Sequence, residues 1–317
     1  MDETSRSDPP GPAPTTQLVQ ANSATRALNI LGDRWTLMIL YLAFQRVRRF
    51  DEFQSRIGLA RSLLIDRLRR LHAVGIFSKV RYQERPARDE YRLSEMGLDL
   101  YSLALSIIRW EKRWFYDPAN PAHHLKHDCG KVFTPEFRCG CCRGLVSPRD
   151  VYVVEGPGAA FEPSPPPRAQ RRSIVPAGDL NQGNPMLDRA FQVLGDRWTS
   201  HVIASAFMGR RRFNDFQNAL GVAPNILSDR LTRLVDLGVL RRELYQQRPD
   251  RWEYRLTDEG RDLYPLIAEL NRWGDRWLAT NGPPLITHHR VCGHELEPLV
   301  TCDQCGQEAS VLNVTPG

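Results

Sequence analysis

Apolar residues along the chain fall into helix-period runs closed by glycines and followed by short alternating stretches, and this order occurs twice. Leu18–Leu31 and Met186–Leu194 read as amphipathic helices that end at Gly32 and Gly195. Second helices follow from Trp35 (WTLMILYLAF) and Trp198 (WTSHVIASAF). Short third helices start at Phe50 and Phe213 and stop at Gly58 and Gly221. After a three-residue turn, fourth helices are predicted over about residues 61–74 and 224–237. Their apolar stripes, Leu64, Leu68, Leu71 and Leu227, Leu231, Leu234, fall at i, i+4, i+7, which is one face of a helix. Beyond Gly75 and Gly238 the period changes to that of strands. FSKVRYQERPARDEYRLS and LRRELYQQRPDRWEYRLT each read as two strands around a Pro/Arg loop. Ser94 and Thr257 then cap a last helix that reaches a pair of tryptophans.

The recurrence is a tandem duplication at an offset of 163 residues. GDRWT stands at 32–36 and 195–199, and between residues 32 and 114 there are 39 identities in 83 ungapped positions. Residues 155–183 are rich in Pro and Gly, as a linker would be, with a stiffer polyproline stretch at Pro163–Pro167. The predicted layout is a disordered tail (1–17), domain 1 (18–117) with a Cys/His-rich tail (118–154), the linker, then domain 2 (184–280) with its own Cys/His-rich tail (281–317).

Helix, short helix, turn, helix and a two-stranded ribbon is the order of a winged helix-turn-helix, so the expected fold class is mainly α with small β wings (α+β). Such a fourth helix buries its leucines and frees the opposite face for the DNA major groove. That face holds Arg61, Ser62, Ile65, Arg69 and, partly, Asp66 in copy one, and Asn225, Ser228, Asp229 and Thr232 in copy two. The wing loops carry Arg85 and Arg88, or Arg248 and Arg251, where phosphates would lie. Arg48, Arg49, Arg211 and Arg212, before the third helices, extend the candidate DNA surface. Arg67 and Arg230 join it with two readings open: they could bond neighbouring carbonyls or a phosphate. Asp33, Arg34, Asp196 and Arg197 read as a capping or ion-pair device. The tryptophans read as core or interface, and His72 and His201 as ordinary helix residues.

Composition sharpens the picture modestly. The formal charge is +6 and only four of the 43 basic residues are lysine, so the basic surface is nearly all guanidinium, suited to phosphate and guanine. Residues 18–117 hold 18 Lys+Arg against 11 Asp+Glu, whereas residues 181–280 hold 15 against 13, so copy one has the stronger electrostatic footprint. No apolar run reaches the ~18 residues of a membrane span, and the acidic, Pro-rich start is unlike a secretory signal. The expected setting is therefore a reducing cytoplasm, where seven cysteines act as thiols or metal ligands.

All seven cysteines lie in the tails. Cys129, Cys139 and Cys142 map onto Cys292, Cys302 and Cys305, leaving Cys141 as the odd one. Cys302-Asp-Gln-Cys305-Gly is a zinc-knuckle pattern, and His289-x2-Cys292-Gly supplies a second. Together they predict a short structural zinc ribbon in copy two, framed by strands at 296–300 and 310–314. In copy one Lys126 stands at the position of His289, so the fourth ligand beside Cys129, Cys139 and Cys142 is His127, His124 or Cys141; His127 is the choice made here. Three thiolates with an imidazole favour zinc. No nucleophile–base pair, phosphate loop or carboxylate dyad points to an enzyme.

GDRWT, RRF-x-x-F-Q, L-x-D-R-L-x-R-L, Tyr-Gln-x-Arg-Pro-x-Arg-x-Glu-Tyr-Arg-Leu and the closing R-W-x-x-R-W together resemble the HxlR family of bacterial winged-helix transcriptional regulators, twice over. The resemblance implies a repressor or activator of double-stranded DNA, usually a homodimer formed through the first and last helices. Two copies in one chain imply an internal pseudo-dimer. Some members sense oxidants through a cysteine shortly before the first helix; Asn22 and Pro185 occupy those positions here, which argues against such sensing. The competing expectation is a protein-interaction module that docks on the transcription machinery, with copy two not binding DNA. No small-molecule effector is identified.

Overall fold

The computed structural model describes residues 18–118, 124–163 and 188–316. The expected tail 1–17, most of the linker, and Pro185 and Met186 lie outside these residues. Copy one runs β1 (Leu18–Gln20), α1 (Ser23–Leu31), α2 (Arg34–Phe44), α3 (Phe50–Ile57), α4 (Arg61–Ala73), β2 (Phe77–Gln83), β3 (Arg88–Leu93), α5 (Glu95–Leu98) and α6 (Tyr101–Trp114). Its tail adds β4 (Leu125–His127), β5 (Pro135–Cys139), β6 (Val151–Glu155) and β7 (Phe161–Pro163). Copy two repeats the order as α7 (Asp188–Leu194), α8 (Arg197–Phe207), α9 (Phe213–Leu220), α10 (Pro224–Asp236), β8 (Leu240–Gln246), β9 (Arg251–Leu256), α11 (Asp258–Arg261) and α12 (Tyr264–Leu278). It ends with β10 (Leu285–His289), β11 (Pro298–Cys302) and β12 (Val314–Pro316).

Four local expectations are corrected. The first helix starts at Ser23, because the Asn22 side chain accepts from the Thr25 amide and its extended backbone makes it the N-cap. The residues before it form β1, paired with β7, so the start of the expected linker is ordered strand. The last helix of each copy is two helices, since Asp99–Leu100 and Asp262–Leu263 turn the chain with ψ near zero. The tail strands of copy two are Pro298–Cys302 and Val314–Pro316, and they pair with copy one rather than with each other.

The leucine stripes behave as their spacing requires. Leu64, Leu68 and Leu71, like Leu227, Leu231 and Leu234, are essentially inaccessible to solvent. Each fourth helix is thereby pinned to the body, with its other face outward. Wings β2–β3 and β8–β9 are antiparallel hairpins, each with a register shift at the tyrosine, Tyr82 or Tyr245.

Contacts between the copies come in reciprocal pairs related by the 163 offset. Helix α1 packs on α8 and α12, and α7 packs on α2 and α6. Trp110 and Trp273 are fully buried, and their indole N–H groups donate to the carbonyls of Glu259 and Met96. Arg109 and the Trp114 indole reach Asp262 at 2.9 Å, while Arg272 and the Trp277 indole reach Asp99 at 2.9 and 2.8 Å. Asp33 bridges its own counterpart, Asp196, through the backbone. Gly32 and Gly195 permit that approach: a Cβ on Gly195 would stand 3.0 Å from Cβ of Arg34, and one on Gly32 3.2 Å from Cα of Arg197. Three of the tail sheets join the copies as well. β4 pairs with β12, β5 with β11 and β6 with β10, with Phe137 facing its own counterpart Val300.

Candidate nucleic-acid interface and Cys/His clusters

The outward face of α4 carries Arg61, Ser62, Ile65 and Arg69, all exposed. Among the described residues, Arg61, Arg69 and the wing arginines Arg85 and Arg88 have no ion pair, so their charge is available to a ligand. Arg61 stacks on Phe50 at 4.8 Å, which holds the guanidinium at the start of the helix. The arginines before α3 and α9 connect helix to wing. Arg49 lies over Tyr82 and Arg212 over Tyr245, each at 4.6 Å. The Arg48 and Arg211 carbonyls accept the Tyr91 and Tyr254 amides, tying strand to loop. Arg48 also lies 4.0 Å from Glu90, and Arg212 pairs with Glu253 at 3.2 Å.

Copy two keeps the geometry with less charge. Its helix face shows Asn225, Ser228, Asp229 and Thr232, and Pro224 stands where copy one has Arg61. Arg211, Arg248 and Arg251 remain exposed.

Two expected DNA contacts are placed elsewhere. Arg67 is half-buried and donates to Asp33 at 3.1 Å and Asp66 at 2.7 Å. Arg230 does the same with Asp196, at 2.6 Å, and with Asp229. Both are ion-paired to a carboxylate that is also a helix cap. Asp33 and Asp196 accept from the Thr36 and Thr199 amides at the starts of α2 and α8. One acidic residue thus joins the second helix, the fourth helix and the other copy. Burial opposes the Asp196 charge, but Arg230 and the Thr199 donors outweigh it and hold its carboxyl below the usual range.

The Cys/His residues group otherwise than expected. His127 and Cys129 of copy one meet Cys302 and Cys305 of copy two, whereas Cys139 and Cys142 meet His289 and Cys292. All eight expected ligands are used and His127 is the copy-one imidazole, but no group lies within a single tail. The reason is the strand exchange: β4 and β5 of one tail are hydrogen-bonded to β12 and β11 of the other, which carries each knuckle to its partner. His124 contacts the Pro118 carbonyl instead. Cys141 lies near Cys292 and His294. The shift from position 126 to 127 has a local cause. Bridges Arg138–Leu145, His288–Glu295 and Thr301–Glu308 close three knuckles, and Lys126–Val132 closes the fourth one residue shorter.

Sequence reasoning missed the reciprocal arginine–aspartate and tryptophan–aspartate pairs, although the repeat held a usable signal. Asp99, Arg109 and Trp114 are identical to their counterparts 163 residues on, as a contact made twice between copies requires. The buried His201 was also missed. It is 1% exposed beside the Thr25 backbone of the other copy.

The chain is similar in sequence to known helix-turn-helix proteins. The sequence profile described as HxlR-like helix-turn-helix matches residues 30–118 and 193–281. An uncharacterized HTH-type transcriptional regulator of Mycobacterium tuberculosis is 43% identical over 129 residues, covering 40% of this chain and 82% of the relative. The HTH-type transcriptional regulator YvaP of Bacillus subtilis is 33% identical over 102 residues, covering 31% of this chain and 94% of the relative. Among solved structures, PA1607, a candidate transcription factor, is 33% identical and covers 41% of this chain and 91% of its own, with a TM-score of 0.36. Among the described residues no helix is long and apolar enough to cross a membrane.

Proposed function

Because the chain belongs to the HxlR-like helix-turn-helix family, matched once in each copy, we propose that it is a transcriptional regulator whose two winged helices bind one double-stranded DNA site as an intramolecular pseudo-dimer. The observation that carries this reading is the reciprocity of the contacts between copies. Asp33 meets Asp196 and Phe137 meets Val300, each position facing its own counterpart, as happens only on a two-fold axis. The terminal helices through which separate chains would self-associate are engaged within this one chain.

A two-fold arrangement of readers calls for inverted half-sites about one helical turn apart (~34 Å). The readers differ, however. Arg61 and Arg69 offer guanine-directed forks in copy one, where copy two presents Pro224 and Thr232. The operator is therefore an imperfect palindrome, with phosphate contacts dominated by the first half. Selection of random double-stranded DNA by the purified chain, then footprinting, tests the reading. One chain per site with both halves protected is expected. Protection of a single half favours the module in which copy two does not bind DNA, and no enriched sequence removes the DNA reading altogether.

A further inference from the structure

We propose that the chain binds two zinc ions, each shared between the copies: one by His127, Cys129, Cys302 and Cys305, the other by Cys139, Cys142, His289 and Cys292. Metal then closes the tails onto each other as a pair of inter-copy staples. The zinc sites do not depend on the DNA reading, since a chain that bound no DNA would still hold both ions.

The distances carry the assignment. Tetrahedral zinc with Zn–S about 2.3 Å and Zn–N about 2.0 Å separates neighbouring sulfurs by about 3.8 Å and sulfur from nitrogen by about 3.5 Å. In the second group Cys139 and Cys292 sulfurs are 4.0 Å apart, and His289 Nδ1 lies 3.4 and 3.5 Å from Cys142 and Cys292. In the first, His127 Nδ1 lies 3.5 Å from Cys305. Disulfide sulfurs would stand at about 2.05 Å, and all seven cysteines are free thiols. Three sulfurs and one imidazole nitrogen around each centre select zinc over harder cations.

The backbone is shaped for the same purpose. Each knuckle turns just after its last ligand through a positive φ, at Gly130, Gly293, Gly306 and, with a side chain, Arg143. The Gln304 amide donates to the Cys302 sulfur at 3.4 Å. His127 Nε2 faces the Glu308 carbonyl at 3.4 Å, leaving Nδ1 toward the thiols, where the exposed Asp128 carboxylate also lies at 2.9 Å. The tail sheets themselves are small, although Phe133, Phe137 and Val300 are buried in the main core. Each has two strands of three to five residues, too little to stand alone in water. Cys141 adds no third site, because the group it forms with His294 borrows Cys292 from the second.

The sharing of ligands makes the proposal testable by counting metal in the full-length chain. Wild-type protein, exhaustively dialysed, is expected to contain about two zinc ions by mass spectrometry. Cys129→Ser with Cys305→Ser damages one shared site and should leave about one ion, whereas Cys129→Ser with Cys142→Ser damages both and should leave none. The reverse pattern assigns the sites to single tails and overturns the staple. A metal-free wild-type chain overturns both sites. Should the double variants not fold, the wild type decides. After a chelator has removed one ion, alkylation should label Cys129 together with Cys302 and Cys305, or Cys139 and Cys142 together with Cys292. Labelling of Cys129 with Cys139 and Cys142 refutes the exchanged pairing.

Discussion

His201 gives the fold a pH dependence that can be worked through. Its ring is buried on α8 where the other copy's α1 packs, against the edge of Trp198 at 5.5 Å, and its Nε2 has no hydrogen-bond partner among the described residues. Burial, and then the Arg197 guanidinium, push its pKa down from 6.5 to about 3, against smaller opposing pulls from the Thr25 backbone and then Asp196. A histidine with a depressed folded-state pKa binds its proton more tightly in the unfolded chain. Its neutral form is therefore no burden above pH 6.5, and stability falls as pH drops from 6.5 toward 3. One proton per molecule corresponds to about 1.4 kcal/mol per pH unit, so about 2 kcal/mol is lost by pH 5. Copy one has Met38 at the equivalent position, which makes His201→Met the natural control. Urea unfolding of both proteins between pH 7.5 and 5 measures the difference, and other titrating groups, including the thiol clusters, cancel in the comparison. The variant's stability should fall less steeply by about one proton per molecule. Parallel curves would show that His201 protonates freely in the folded chain and refute the burial argument.

Replacing both Arg85 and Arg88 with Ala should weaken binding to every DNA sequence. At about 0.9 of salt slope per lost phosphate contact, the slope of log affinity against log salt drops by about 1.8. Fluorescence anisotropy across a salt series reads this directly, and an unchanged slope removes these side chains from the phosphates. Changing Asp262 to Ala strips the acceptor from the Arg109 guanidinium and the Trp114 indole, and Asp99→Ala does the same to the Trp277 indole while Arg272 keeps Glu269. Asp262→Ala should cost about 2–4 kcal/mol by thermal or urea unfolding, because the partly buried Arg109 charge loses its partner, and Asp99→Ala should cost less. A cost below 0.5 kcal/mol in both would mean that these pairs do not hold the copies together.

The sequence by itself determined the repeating unit. Leucine spacing placed the fourth helices, because a helix has one face to bury, and it left Arg61 and Arg69 outward as expected. Wing arginines were legible because a loop between strands cannot bury them. The fate of Arg67 and Arg230 was not legible: their partners, Asp33 and Asp196, lie 34 residues away, and no local pattern encodes a meeting at that separation. The cysteines show the same limit most clearly. Knuckle spacing and the repeat named seven of the eight metal-ligand candidates, since a knuckle is a local turn, and left His127 as one of three choices for the eighth, yet proximity along the chain suggested one group per tail. Only tertiary structure decided the partners. Two halves of the same fold expose equivalent edges, and the short tail strands pair with the edges of the other copy. Local sequence fixes turns, caps and buried faces; pairing between equivalent surfaces is settled by the packing of α1 on α12 and α7 on α6, which brings the tails face to face.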